Sequence, residues 1–169
     1  VENASLVPWL LIVAGGHTLL AYKYTKRGLG VSYLLLIFTF IFILYSTFLT
    51  RSGVLGDTSV HAFTDLGMTG QLLIYMGFLT VPAIILLIVR MRSIPKVEGE
   101  EAFLSREFWM FIGALIFVIS AAQITWDTSL PVTNMLFGTN LAVGIDVVEH
   151  YNKVQIIIGI FIALGAATV

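Results

Sequence analysis

The sequence VSYLLLIFTFIFILYSTFL occupies residues 31–49, and none of its nineteen positions is charged. An α-helix of this length rises about 28 Å, at about 1.5 Å per residue, which matches the hydrocarbon core of a bilayer. The whole chain has a matching composition: of its 169 residues 58% are hydrophobic and 11% are charged, and its mean hydropathy is +0.97. We therefore predict an all-α integral membrane protein, a polytopic helical bundle within the lipid bilayer.

Four further apolar runs predict the other membrane spans, and they cover residues 6–22, 71–89, 108–125 and 154–169. The chain thus has about five transmembrane helices, which we interpret as one membrane domain. Ser105 is the expected N-cap of the fourth helix, with Glu107 in its first turn. The last run is short for a span, so we expect the chain to be a fragment of a longer polytopic protein.

Lysine and arginine are distributed unevenly between the loops, which predicts the orientation. Loops 50–70 and 126–153 hold one basic residue each, whereas loops 23–30 and 90–107 hold all the others: Lys23, Lys26, Arg27, Arg90, Arg92, Lys96 and Arg106. Basic loops remain in the cytoplasm. Loops 50–70 and 126–153 are therefore predicted to be periplasmic, in a bacterial inner membrane, and the apolar content of loop 126–153 predicts that it lies on the membrane surface.

Two absences in the sequence exclude classes of function. A net charge of −1 provides no basic surface for nucleic acid, and no GxxxxGK phosphate-binding loop is present, so nucleic acid is not an expected partner. The chain has no cysteine, so it supplies neither a disulfide nor a thiolate ligand.

Polar residues interrupt the apolar pattern in the sequence TRSGVLGDTSVHAFTDLG, residues 50–67, which we predict to be the site of chemistry. His61 has Asp57 and Asp65 four residues away on either side, and a carboxylate can orient an imidazole that binds a metal. Arg51 can pair with an anionic group such as a haem propionate. The alternative is that His61 is a solvated loop residue and that Arg51 extends to the membrane interface.

His17 lies within the first apolar run, six residues before Lys23. An ionisable residue inside a membrane helix is a functional candidate, and a neutral imidazole is a common axial ligand of haem iron. Gly15 and Gly16 adjoin it, so that a flat macrocycle could approach the backbone. The alternative is a histidine that is hydrogen-bonded to a neighbouring helix.

His150, with Asp146 and Glu149, has the residue types of a metal site. Such groups at the beginning of a helix more often form a solvated face, and that is the interpretation we favour.

Three segments together resemble the CcmF family of cytochrome c-type biogenesis proteins. The first is VENASLVPW at residues 1–9, which is similar to the end of the family's tryptophan-rich WWD segment. The second is TFLTRSGVL followed by SVHAF within residues 47–63, and the third is LSRE at residues 104–107. The resemblance covers essentially the whole chain. The CcsA-type cytochrome c synthases are similar, but the VENAS segment favours CcmF.

The resemblance implies a haem lyase, which is the component of the cytochrome c maturation system that presents haem for thioether formation with the CXXCH cysteines of apocytochrome c. His17 then corresponds to an axial iron ligand of a resident haem b, and His61 corresponds to an external histidine that holds incoming haem. Other maturation subunits are implied partners. The WWD tryptophans and the partner histidines of both haem sites are not in this chain.

The chain departs from the family pattern in two loops. Residues 56–58 lengthen the segment before the external histidine, and WDTSLP at residues 126–131 replaces the usual GTxYP pattern.

Two other classes of function remain open from the residues. A b-type haem or quinone-linked electron-transfer subunit would use paired membrane histidines, and a proton-relaying transporter would carry further charged residues within its spans.

Overall fold

The computed structural model describes residues 2–56, 67–94, 105–144 and 146–167. Over these residues the chain forms six α-helices and no strand. The helices are α1 Glu2–Thr25, α2 Leu29–Arg51, α3 Thr69–Met91, α4 Arg106–Thr128, α5 Leu130–Phe137 and α6 Val147–Ala167. The prediction of an all-α fold is confirmed.

Five of these helices, all except α5, are long and apolar enough to cross a membrane, with mean hydropathy between 1.3 and 2.7 over their best windows. Each of α1 to α4 contains one of the predicted apolar runs and extends beyond it at both ends, while α6 begins at Val147, before the fifth run. The helices are longer because polar residues at the interface continue the helical hydrogen bonding after the apolar residues end.

The helix α1 is at the centre, between α2 and α4, while α3 packs on α2, and both α5 and α6 pack on α4. Small side chains form the contact between α1 and α4: Ala14 is fully buried, and Ala114 and Ala121 are 2% and 3% exposed. Small residues allow two membrane helices to approach closely, and the dispersion energy of that contact replaces the hydrophobic effect, which is weak in lipid.

Buried hydroxyl groups connect the helices. The Ser32 hydroxyl of α2 donates to the Thr18 hydroxyl of α1 at 3.0 Å, and Tyr45 of α2 donates to Ser129, between α4 and α5, at 2.7 Å. Thr18 in turn donates to the carbonyl of Gly15 at 3.0 Å. These bonds satisfy polar atoms that water cannot reach.

One end of the bundle, which we call the basic end, is formed by the end of α1, the end of α3 and the beginning of α4, and it holds Lys23, Lys26, Arg27, Arg90, Arg92 and Arg106. At the basic end, α1 connects to α2 through Gly28 in the left-handed region (φ 77°), and the Arg106 guanidinium of α4 lies 5.8 Å from the ring of Tyr24. At the opposite end, the Thr69 hydroxyl donates to the carbonyl of Ser52 at 3.0 Å. The helices α1 to α4 therefore run alternately up and down.

The fourth helix begins at the N-cap that the sequence predicts. The Ser105 hydroxyl accepts a hydrogen bond from the amide of Phe108 at 3.1 Å, so the predicted N-cap is confirmed, with Glu107 in the first turn.

The segment 126–153 is more helical than a loop. Residues 126–128 continue α4, and α5 follows directly. Pro131 lies in the first turn of α5, where its missing N–H has no partner to lose, and Gly138 ends the helix in the left-handed region (φ 64°). Its position relative to the membrane surface stays a prediction.

Candidate functional site

His17 projects from α1 into a cavity of about 570 Å³ near the basic end of the bundle. Its imidazole is half-buried and lies 5.8 Å, centroid to centroid, from the ring of Phe117 on α4. Other walls come from Trp109 and Gly113 of α4 and from Phe161 and Ile162 of α6. The cavity is thus an apolar space between three helices that contains one imidazole, and its volume is typical of small-molecule sites, about 300–1,000 Å³.

The hydrogen bonding of His17 determines which ring nitrogen can bind a ligand. Its Nδ1 lies 2.8 Å from the carbonyl oxygen of Val13, one turn earlier in the same helix. A carbonyl can only accept, so Nδ1 carries the proton, and in the neutral ring Nε2 keeps its lone pair. A backbone carbonyl bound to the other nitrogen is the usual way in which a metal-binding histidine is oriented. Among the described residues, this hydrogen bond is made within α1 itself and not to a neighbouring helix, which was the alternative.

The glycines near His17 have different roles from the one expected. A Cβ atom at Gly15 would lie 3.2 Å from Leu36 of α2, so Gly15 serves the contact between α1 and α2. A Cβ at Gly16 would meet nothing within 4 Å, but this residue is exposed and does not line the cavity. Gly113 of α4 does line it and also has open space in front of it. The glycines that leave room in the cavity wall are therefore Gly113 of α4 and Gly165 of α6, not the two beside His17 in the sequence.

Arg106, the first residue of α4, lines the same cavity at the basic end. Its guanidinium lies over the ring of Tyr24 while its side chain remains exposed, so it can pair with an anionic group at the mouth of the cavity. In the sequence, Arg106 is only one of the basic residues that predict the orientation of the chain in the membrane. The signal that could have identified it is its position at the basic end of a helix that packs against α1.

Arg51, the second predicted site residue, is not near His17. Arg51 is the last residue of α2, at the opposite end of the bundle, where it is exposed. His61 lies outside the described residues, so its pairing with Arg51 stays a prediction.

His150 and its neighbours do not form a metal cluster. Asp146 caps α6 by accepting from the amide of Glu149 at 2.9 Å, and the Glu149 carboxylate pairs with Lys153 at 2.9 Å. The His150 Nε2 lies 3.0 Å from the carboxylate of Asp127 on α4. Within the described ranges, no three histidine, aspartate or glutamate side chains could together hold a metal ion.

A second cavity, of about 470 Å³, lies at the opposite end of the bundle. Its lining combines apolar residues of α5 and the segment after it with polar groups from α1, α4 and α6, namely Glu2, Asn3, Asp127 and Tyr151. The His17 cavity and this second cavity therefore lie near opposite ends of the bundle.

Comparison with known proteins identifies relatives of this chain by sequence similarity. The chain is 38% identical over 149 residues to the cytochrome c-type biogenesis protein CcmF of Pseudomonas fluorescens, an alignment that covers 85% of this chain and 22% of the relative. It is 34% identical over 146 residues to the biogenesis protein CycK of Bradyrhizobium diazoefficiens, with 85% and 22% covered. With CcmF of Escherichia coli it shares 30% over 138 residues, with 82% and 21% covered.

The chain is a homologue of CcmF-type cytochrome c biogenesis proteins. It spans about a fifth of the length of these curated relatives. No protein-family model matches it, and no solved structure matches it. The resemblance to CcmF is thus confirmed by alignments that extend over most of the chain.

Three features of the His17 cavity fit the haem that the sequence predicts at this residue. It offers one imidazole with Nδ1 bonded to a backbone carbonyl, an apolar space with a glycine in its wall, and a guanidinium at its mouth. These are the groups that an axial iron ligand, a porphyrin ring and a propionate require.

Proposed function

We propose that the chain is part of a cytochrome c haem lyase, which holds haem at the periplasmic face of a bacterial inner membrane for attachment to apocytochrome c. The homology to CcmF, CycK and related cytochrome c-type biogenesis proteins supports the role in maturation. The orientation follows from the sequence of loops 23–30 and 90–107, which hold seven of the nine lysine and arginine residues and are therefore assigned to the cytoplasm.

The observation that carries the proposal is the cavity at His17, which fits a resident haem b. His17 would ligate the iron through Nε2, because Nδ1 is bonded to Val13. Arg106 would pair with a propionate at the mouth. Bound there, haem b supplies a one-electron redox centre, and the helices around His17 set its polarity by excluding water.

The substrate haem is a different molecule and binds, in this proposal, at the opposite end. His61 is the proposed ligand and Arg51 the proposed propionate contact, both from the CcmF resemblance. Each cysteine S–H of the apocytochrome CXXCH motif adds across one vinyl group of the substrate haem, which forms one C–S and one C–H bond. The chain has no cysteine of its own, so the thiols come from the partner. The contribution of the protein is to hold the reactants in position.

An electron-transfer subunit that uses two histidines of this chain is not supported. Within the described helices, the histidines are His17 and His150. His150 is bonded to Asp127 near the opposite end of the bundle from the His17 cavity.

The test compares His17→Gly and His61→Ala in the membrane-embedded protein, with the haem absorption spectrum and cytochrome c maturation as readouts. We expect His17→Gly to lose the resident b-type spectrum, and added imidazole to restore it, because free imidazole can replace the missing ring. We expect His61→Ala to keep the resident spectrum but to lose captured haem and maturation. Full maturation by both variants would overturn the proposal.

A further inference from the structure

Five polar side chains join α4 to α6 in a continuous series of hydrogen bonds, which we name the polar ladder: Ser120, Gln123 and Asp127 of α4 with His150 and Gln155 of α6. Ser120 donates to Gln155 Oε1 at 2.8 Å, and Gln155 donates to Gln123 Oε1 at 2.7 Å. Gln123 donates to Asp127 Oδ2 at 3.2 Å, and His150 Nε2 bonds to the same oxygen at 3.0 Å. Three of the four bonds therefore cross between the two helices.

The bonds of the polar ladder have a consistent direction. Starting from the Ser120 hydroxyl, each donor points toward the next acceptor, and the series ends on the carboxylate of Asp127, which accepts two bonds. Ser120 is 2% exposed and Asp127 is 8% exposed. Breaking the series would leave polar atoms without partners at positions that water barely reaches, and a series with one direction strengthens each of its members.

Few other contacts hold α6 in place. Among the described residues, α4 is the one helix whose backbone comes close to α6. None of the described side chains of α6 is buried, although Tyr151 packs against the core at its beginning. Apolar packing is therefore a small part of the attachment of α6, which depends mainly on polar contacts: the polar ladder, and the hydrogen bonds of the Tyr151 hydroxyl to Thr128 and Asn3.

The far end of α6 forms one wall of the His17 cavity. Phe161, Ile162, Leu164 and Gly165 line that cavity, whereas the last residue of the polar ladder, Gln155, lies about 10 Å earlier along the helix axis. The helix is thus attached near the opposite end of the bundle and extends as a wall toward the basic end. A change in its tilt at Gln155 would displace the wall without changing any residue of the cavity.

We propose that the polar ladder consists of positioning residues that hold α6 over the His17 cavity and so set how tightly a ligand binds there. The identity of that ligand as haem rests on the proposed function. The position of α6 itself does not.

The experiment uses Gln155→Leu, which removes two bonds between the helices, Ser120→Ala, which removes one, and Gln71→Leu as a matched control. Gln71 is exposed on α3, away from the polar ladder. Spin labels at Phe111→Cys and Ile160→Cys report the distance between α4 and α6, because the chain has no native cysteine to compete and neither residue lines the cavity. Bound haem per protein and its midpoint potential are measured on the same membranes.

We expect Gln155→Leu to lengthen and broaden the distance between the labels and to weaken haem binding about tenfold, with Ser120→Ala weakening it about threefold. The midpoint potential of the haem bound to Gln155→Leu should fall, because displacement of α6 admits water, which favours the ferric state. An unchanged label distance in Gln155→Leu overturns the proposal, as does a changed distance with unaltered haem binding and potential, or an equal effect of Gln71→Leu. If His17→Gly keeps its resident haem, the proposed function fails instead, and the label distance decides the role of the polar ladder alone.

Discussion

Filling the His17 cavity from the α4 side should remove its ligand without unfolding the protein, and Gly113→Leu is the substitution that does this. A Cβ atom at Gly113 meets nothing within 4 Å, and the residue lines the cavity. Gly16→Leu is the matched control. Its Cβ also meets nothing within 4 Å, but Gly16 is exposed on α1 and is not part of the cavity lining.

The magnitudes follow from these two environments. Replacing a glycine within a helix gains up to about 1 kcal/mol of helix propensity, so both variants should be as stable as the parent protein or more stable. In Gly113→Leu four carbon atoms then occupy the space beside His17, and such overpacking against a ligand costs about 1–3 kcal/mol. The affinity for haem should therefore fall about 5- to 150-fold in Gly113→Leu and remain unchanged in Gly16→Leu.

The assay is the haem content per protein after purification, together with thermal unfolding in detergent. We expect Gly113→Leu to keep the unfolding temperature and to lose haem. If Gly113→Leu retained full haem content with an unaltered spectrum, haem would bind elsewhere and the assignment of the cavity would be wrong. Equal loss in Gly16→Leu would indicate a general effect of enlarging a membrane helix.

Two further predictions concern helix contacts and orientation. Thr18→Val removes the buried acceptor of the Ser32 hydroxyl and should lower the free energy of unfolding by about 0.6–1.7 kcal/mol, measured by thermal unfolding. The control is Thr47→Val, which should cost less because the Thr47 hydroxyl bonds only a carbonyl of its own helix. Equal losses in the two variants would mean that the bond between α1 and α2 is not stabilising. For orientation, Lys26→Cys should react with a membrane-impermeant thiol reagent only after the cytoplasmic face is opened, and Asn140→Cys should react in intact cells. The reverse pattern would invert the assigned topology.

Much of the fold could be predicted from the sequence, because membrane spans depend on local quantities. The length of an apolar run sets whether a helix crosses the bilayer, and the N-cap at Ser105 depends on the amide of Phe108, three residues away. His17 could likewise be identified as a candidate from its position within a span. His61 and Arg51, the predicted external pair, depend on the CcmF resemblance and stay predictions.

The partners of these residues depended on the tertiary structure. The sequence alone does not indicate that Arg106 shares the cavity of His17. Nor does it indicate that His150 bonds Asp127 while Asp146 caps α6. Arg106 and His17, like His150 and Asp127, lie more than twenty positions apart. Such contacts follow from the rotation and tilt of each helix, which are set by packing against its neighbours and not by its own hydropathy. The sequence by itself determined which segments enter the membrane, whereas the packing of α1, α4 and α6 decided which side chains meet there.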